Sequence, residues 1–273
     1  MPELPEVETI ANGVNARVRG QRILSVRLSR YKEPFKTPRS PMADALPGLR
    51  IDRVYREGKH IVFDLSSGGS SAQWVVHLGM TGRLLVSPPE LPAPPHTHAA
   101  LSLSGGAELR FIDPRRFGRL ALYPIAPGAE GFRGPGREPL SISEQDFLAL
   151  FRHRKLSIKA ALLNQSLLHG VGNIYADESL FRAGIRPTRA AGQLSPQRLL
   201  RLRTSLREIL RKAISLGGSS VSDYVDADGV AGFFQLEHRV YMRTGEPCLV
   251  CGKPVRRIVL AGRGTHFCGH CQR

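Results

Sequence analysis

The chain reads as an α+β protein of several domains, and three features predict it. Between Arg22 and Tyr123, eight short runs rich in β-branched and aromatic residues are punctuated by Gly, Pro and Ser. After Pro139 the apolar residues recur at helical spacing. All four cysteines fall within the last 26 residues. At 273 residues the chain also exceeds the size at which one core stops growing, so two or three domains are expected.

The first element is a helix from Pro5 to Gly20. Val7, Ile10, Ala11, Val14 and Val18 form one apolar stripe, and Gly20 ends it. The eight runs that follow are RILSVRL, RIDRVY, HIVFDL, QWVVHL, RLLV, AALSL, ELRFI and RLALY, and they predict a β-sandwich or flattened barrel over residues 1–124. Pro124 to Pro139 holds four prolines and four glycines without periodicity, which places a linker at 125–140. Ser141 and Ser143 are candidate caps for SEQDFLALFRH, the first helix of a bundle over 141–238. SIKAALLN and NIYADESLFRAGI follow as helices. A fourth helix starts with Ser195 as cap and Pro196 in its first turn, turns Leu199, Leu202, Leu206, Ile209 and Leu210 inward, and stops at Gly217-Gly218. The polar stretch 217–235 is longer than most connections in a compact domain and is expected to be a lid, a binding loop or a disordered segment. Residues 239–273 hold the cysteines.

Thirty-nine Lys and Arg against 23 Asp and Glu give a net charge of +16. Such an excess repels itself in a compact chain and favours a polyanionic partner, nucleic acid above all. No apolar run approaches the ~20 residues of a spanning helix, and no signal segment opens the chain, so a cytoplasmic protein is expected.

Cys248-x2-Cys251 and Cys268-x2-Cys271, sixteen residues apart, match tetrahedral thiolate coordination of one zinc ion. Four thiolates leave no position for water, so the metal is structural. It also supplies folding energy that 35 residues could not obtain from an apolar core. Arg256, Arg257, Arg263, His266 and Arg273 stud this segment and favour phosphate contact over protein binding.

The start of the chain, MPELPEVE, carries a second kind of chemistry. Removal of Met1 is expected before so small a residue, and it leaves Pro2 with a free secondary amine. An α-amino group titrates near pH 7.7–8.0, so a fraction is neutral and nucleophilic at physiological pH. Glu3 and Glu6 flank it, and at least one could donate a proton. The same residues are also what an ordinary helix start requires.

MPELPEVE, GKHIVFDL around Lys59, HLGMTGRL from His77, DPRRFG from Asp113, GVGNIYADESLFRAGI from Gly170 and the four-cysteine terminus occur in order along nearly the whole chain. Together they resemble the formamidopyrimidine-DNA glycosylases. The resemblance implies an N-terminal β-sandwich with a leading helix, a helix-two-turns-helix domain and a zinc-finger hairpin, with oxidised-purine DNA lying between the two halves of a monomer. Pro2 would attack the anomeric carbon, Glu3 would be the general acid, Glu6 a supporting carboxylate, and Lys59 would act during cleavage and elimination. Met80, Arg115 and Phe117 would fill the gap left by the extruded nucleotide, with Arg115 reading the orphaned cytosine. His77, His96, Arg154, Lys155, Lys159, Asn173 and Tyr241 would contact DNA, and Arg263 would clamp phosphate during the second elimination.

Three positions depart from the family pattern. Thr97 stands where an acidic residue is common beside His96, and Ser219 and Ser220 stand where threonines are common. Two rivals remain at this point. An endonuclease VIII type would prefer oxidised pyrimidines, but its start usually has Gly where this chain has Leu4, and it lacks the full DPRRFG loop. A zinc-ribbon DNA-binding protein would lack the nucleophile altogether.

Overall fold

The computed structural model describes every residue except Pro127, Ser222 and Asp223, so parts of the expected linker and of the loop 217–235 lie outside the described residues. The chain divides into two compact units: Met1–Arg133 with Gly217–Gly232, and Gly134–Leu216 with Phe233–Arg273.

The first unit opens with α1 (Leu4–Val18), whose Val7, Ile10, Ala11, Val14 and Val18 are all buried, as the apolar stripe requires. All eight predicted strands form: β1 (Ile23–Leu28), β2 (Arg50–Glu57), β3 (His60–Ser67), β4 (Ser70–His77), β5 (Arg83–Ser87), β6 (Thr97–Leu103), β7 (Glu108–Ile112) and β8 (Arg119–Ile125). They build two four-stranded antiparallel sheets, in the orders β1-β6-β7-β5 and β2-β3-β4-β8. Residues from both sheets and from α1 share one core, including Phe63, Trp74, Leu101 and Phe111, so the arrangement is a sandwich. β3 and β4 run further than their apolar patterns. Their ends are the serines around Gly68-Gly69, which adopt φ +54 and +90 and close the hairpin. The sequence reading had no helix at α2 (Arg39–Ala45), which buries only Met42 and so offers no period to detect.

One division, between Arg133 and Gly134, falls inside the Pro/Gly-rich stretch where composition placed it, whereas the assignment of Gly217–Gly232 to the first unit was not expected. Phe132 lies in the Pro/Gly-rich stretch, yet its ring stacks on Tyr123 and its N–H donates to Gln73 Oε1 at 2.6 Å. The loop from Gly217 belongs with the sandwich, not with the bundle, because Tyr224 and Ala227 complete the sandwich core and Val86 N donates to the Ala227 carbonyl.

In the second unit, α3 (Glu144–Phe151), α4 (Ile158–Leu163) and α6 (Pro196–Ser215) are capped by Ser143, Ser157 and Ser195, each accepting an N–H from the first turn. Such caps contribute about 1 kcal/mol apiece. α5 (Asn173–Arg182) starts after Gly172, so Asn173 is the first helical residue, not the cap. α6 buries Leu199, Leu202, Leu206 and Leu210, whereas Ile209 stays half-exposed. β9 (Val255–Leu260) and β10 (Arg263–Cys268) pair as an antiparallel hairpin. The hairpin segment has a core of only Val240, Cys248, Val255 and Cys268, backed by Phe181 of α5.

Candidate active site, metal centre and nucleic-acid interface

Glu3 is the N-cap of α1, and it forms a reciprocal capping box with Glu6, whose Oε2 accepts from Glu3 N at 2.8 Å. Pro2, Glu3 and Glu6 are all buried. The other Glu6 oxygen accepts from Ser219 N at 2.8 Å. With both oxygens bound to backbone donors, Glu6 is held as a fixed strut, and Glu3 is the carboxylate that stands next to Pro2. Gly218, at φ +83, lies so close that a Cβ there would sit 3.0 Å from the Glu6 side chain, so the loop presses directly on this carboxylate. Tyr224 donates to the Gly217 carbonyl at 2.9 Å, and burial, reinforced by Glu6, pushes its phenol well above the ordinary range.

Lys59 lies in the Gly58-Lys59 turn between β2 and β3. That turn is tied to the leading helix through Arg56, a residue the sequence reading missed. Its Nε donates to Glu8 Oε2 at 2.6 Å, and a second nitrogen donates to the Gly58 carbonyl. Lys59 and the Pro2-Glu3 start therefore ride on one frame. His77 pairs with His60 across β3 and β4, their rings 4.9 Å apart. Burial, with His60 and Lys59 adding like charge, holds the His77 imidazole down at about 4. It is neutral, and its Nδ1 accepts from Gly79 N at 3.1 Å.

Met80 and Phe117 are 42% and 48% exposed, unlike ordinary core residues of their kind, and Arg115 is exposed with its guanidinium 4.8 Å from the Phe117 ring centre. Buried Asp113 brings the two turns that carry them together. It accepts from Thr81 Oγ1 at 2.6 Å, from Arg115 N at 3.2 Å and from Gly118 N at 2.7 Å. The backbones approach so closely that a Cβ on Gly79, at φ +66, would lie 2.5 Å from Gly118 N. Asp113→Asn replaces an acceptor by an amide that faces these donors, and should cost about 2–3 kcal/mol in urea unfolding. A loss below about 0.5 kcal/mol, within the range of surface changes, would remove Asp113 from this role. His96, exposed at φ +65, precedes the start of β6.

In the second unit the structure corrects one expectation. Lys159 cannot meet phosphate, because its side chain is fully buried, with Nζ 2.7 Å from Asp177 Oδ1, 2.9 Å from Thr265 Oγ1 and 3.0 Å from the Gly264 carbonyl. A buried ammonium requires such partners. Asn173 Nδ2 donates to the same Gly264 carbonyl at 3.0 Å. Lys159 and Asn173 thus hold the backbone next to Arg263, whose own side chain is exposed at the hairpin tip. Consecutive acids of α5 complete the hold. Asp177 accepts from His266 N, and Glu178 accepts from the N–H groups of Arg239, Val240 and Tyr241. Burial nevertheless pushes the Glu178 carboxyl above its usual range. Asp177 and Glu178 were not singled out from the sequence, although two acids inside an apolar helical stretch are the signal that a buried polar role leaves. Tyr241 is half-buried between His238 and His266, while Arg154 and Lys155 lie in the turn after α3, half-buried and exposed respectively.

The sulfurs of Cys248, Cys251, Cys268 and Cys271 lie within 4.8 Å of one another, with the closest pairs at 3.5 and 3.9 Å. Four thiolates about 2.3 Å from a tetrahedral zinc ion stand about 3.8 Å apart, so the geometry fits one structural zinc.

Family models match in sequence along the chain: the formamidopyrimidine-DNA glycosylase N-terminal domain over residues 1–120, the H2TH domain of the same enzymes over 135–225, and the zinc finger found in FPG and IleRS over 245–273. The chain is 44% identical over 277 residues to the formamidopyrimidine-DNA glycosylase of Solibacter usitatus, covering all of both chains. The crystal structure of the MutM (FPG) protein of Thermus thermophilus is 43% identical, with 99% and 98% of the two chains covered and a TM-score of 0.84. A Lactococcus lactis FPG variant in complex with Fapy-dG containing DNA is 34% identical, covers both chains fully and superposes with a TM-score of 0.88. By these matches and by its own motifs, the chain belongs to the formamidopyrimidine-DNA glycosylase family.

Proposed function

We infer that this protein excises oxidised purines, 8-oxoguanine and formamidopyrimidines, from duplex DNA and then cleaves the strand. The observation that carries the reading is the start of α1, where Pro2 precedes a buried pair of carboxylates braced by their capping box, and Glu3, adjacent to Pro2, serves as the acid.

Once Met1 is removed, the Pro2 amine attacks C1′ of the damaged nucleotide while Glu3 protonates the sugar ring oxygen. The bond from C1′ to the base breaks, the base leaves with its electron pair and takes up a proton, and an iminium joins Pro2 to the opened sugar. Loss of a C2′ proton expels the 3′ phosphate, and a second elimination expels the 5′ phosphate. Water then releases the sugar fragment and restores the amine. Lys59 assists proton movement, and Arg263 neutralises the departing phosphate. Zinc keeps the hairpin folded and takes no part in these steps.

Extruding a nucleotide costs a few kcal/mol of stacking and pairing. Met80 and Phe117, apolar yet exposed, fill the vacated space, and the Arg115 guanidinium donates to the acceptors of the orphaned cytosine, which gives the preference for that opposite base. His77, His96, Arg154, Lys155, Asn173, Tyr241 and Arg263 contact DNA, whereas Lys159 acts through the Gly264 carbonyl. The enzyme works as a monomer on nucleoid DNA in the cytoplasm.

Borohydride trapping tests the reading. Reduction during turnover of 8-oxoguanine DNA should leave one covalent protein–DNA adduct, and peptide mapping should place it on residue 2. An adduct on a lysine, or none at all, contradicts the assignment, and faster trapping on oxidised pyrimidines would favour the endonuclease VIII type.

A further inference from the structure

One strongly basic feature lies apart from the residues given a role in excision, and it includes Arg256 and Arg273 of the arginine-rich zinc segment. In the second unit, a groove of about 950 Å³ runs between the turn after α5 and one face of the zinc hairpin. Arg186, Arg189, Arg256 and Arg273 line it, together with Ile258 and Phe267, and no Asp or Glu is among its described lining residues. Arg189, Arg256 and Arg273 are exposed. Four guanidiniums gathered with no acidic side chain among the described lining residues repel one another, and a polyanion would relieve that repulsion.

The strand register links this groove to the hairpin tip. Arg263 pairs with Leu260, Thr265 with Ile258, and Phe267 with Arg256. Side chains alternate along a strand, so Arg263 shares one sheet face with Phe267, Ile258 and Arg256. From Arg263 to Phe267 the face extends about 13 Å. Measured along a duplex axis, that length corresponds to about four phosphates per strand. The floor offers little to an apolar anchor. The Phe267 ring is buried, and the Arg186 guanidinium lies 5.7 Å from its centre. Charges strung along an open groove, with no deep apolar pocket, match a phosphate backbone better than an acidic peptide.

We propose that this groove is a second phosphate track, which holds the DNA backbone outside the segment that carries the lesion. The proposal rests on the reading of Arg263 as a DNA contact. The track adds affinity and salt sensitivity without sequence preference, because guanidinium–phosphate contacts carry no base information.

The test uses the full-length zinc protein with Arg186→Gln and Arg256→Gln combined, and undamaged duplexes of about one and about three helical turns. On the long duplex the slope of log affinity against log salt should fall by about two units. On the short duplex the slope, and excision from a short lesion duplex, should stay unchanged. Arg256→Gln alone, which alters one exposed side chain, should lower the long-duplex slope by about one unit with zinc content retained. An unchanged long-duplex slope in both variants overturns the proposal. So does an unchanged slope accompanied by loss of binding to a Glu/Asp-rich peptide, which would make the groove a peptide site. Arg263→Gln separates the underlying reading: if short-duplex affinity and excision survive that change, the hairpin tip is not a DNA contact, whatever the groove does.

Discussion

A single residue retained ahead of Pro2 should reduce both base release and strand cleavage at least about 10³-fold while changing lesion-DNA affinity only a few-fold. The extension converts the proline nitrogen into an amide, which has no basic lone pair. The new terminal amine stands about 3.8 Å further along the chain, and a misplacement of about 1 Å already costs about 10² in rate. Glu3 and Glu6 cannot follow it, because both are buried at the fixed start of α1 and bound into its capping box. Affinity survives because it rests on phosphate contacts made elsewhere. The measurement is single-turnover excision and nicking of 8-oxoguanine DNA, with mass spectrometry of the intact amino terminus. Unimpaired turnover by the extended form would mean that Pro2 is not the nucleophile.

Cys268→Ser should produce an equally large loss by another route. Three thiolates and a hydroxyl hold zinc poorly, and the segment around them has too little apolar core to fold alone. The damage should spread into α5, because unfolding the hairpin leaves Lys159, Asp177 and Glu178 without the backbone groups and side chains they bind. The Lys159–Asp177 pair itself remains, but each buried polar group left without its hydrogen-bond partner costs about 1–3 kcal/mol. The expected result is zinc near zero and lesion-DNA binding below detection. The thermal transition of the helical unit should fall, while that of the sandwich is preserved. Normal binding and cleavage by the zinc-free variant would make the hairpin an appendage and remove Arg263 from the DNA.

The strands, α1 and the four-cysteine site were legible because each rests on a local rule: a two-residue alternation, a helical stripe, or a ligand spacing. The serine caps of α3 and α6 were legible for the same reason. Harder to read were side chains whose partners are distant in sequence. Lys159 looks like any lysine on a short helix until Asp177 and Thr265 close over it. Asp113 reads as the start of an Asp-Pro turn, yet its use is to join that turn to Thr81, 32 residues earlier. The function of Met80 and Phe117 came from resemblance alone. What the structure adds is their exposure, which a core assignment would not have predicted.

The partition of the chain also bears on how the protein is made. The sandwich is not one continuous stretch, since Gly217–Gly232 supplies its last piece, including the Ser219 N–H bound to Glu6 and the buried Tyr224. On the ribosome, that last piece is complete only after 99 further residues follow Arg133, the span from 133 to 232. At about 5–20 residues per second, that delay is about 5–20 s. During this interval Glu6 lacks the Ser219 N–H and the core lacks Tyr224. The start of α1 therefore reaches its final geometry late in synthesis, and a chain that stops short of Gly217 lacks the backbone contact that fixes Glu6.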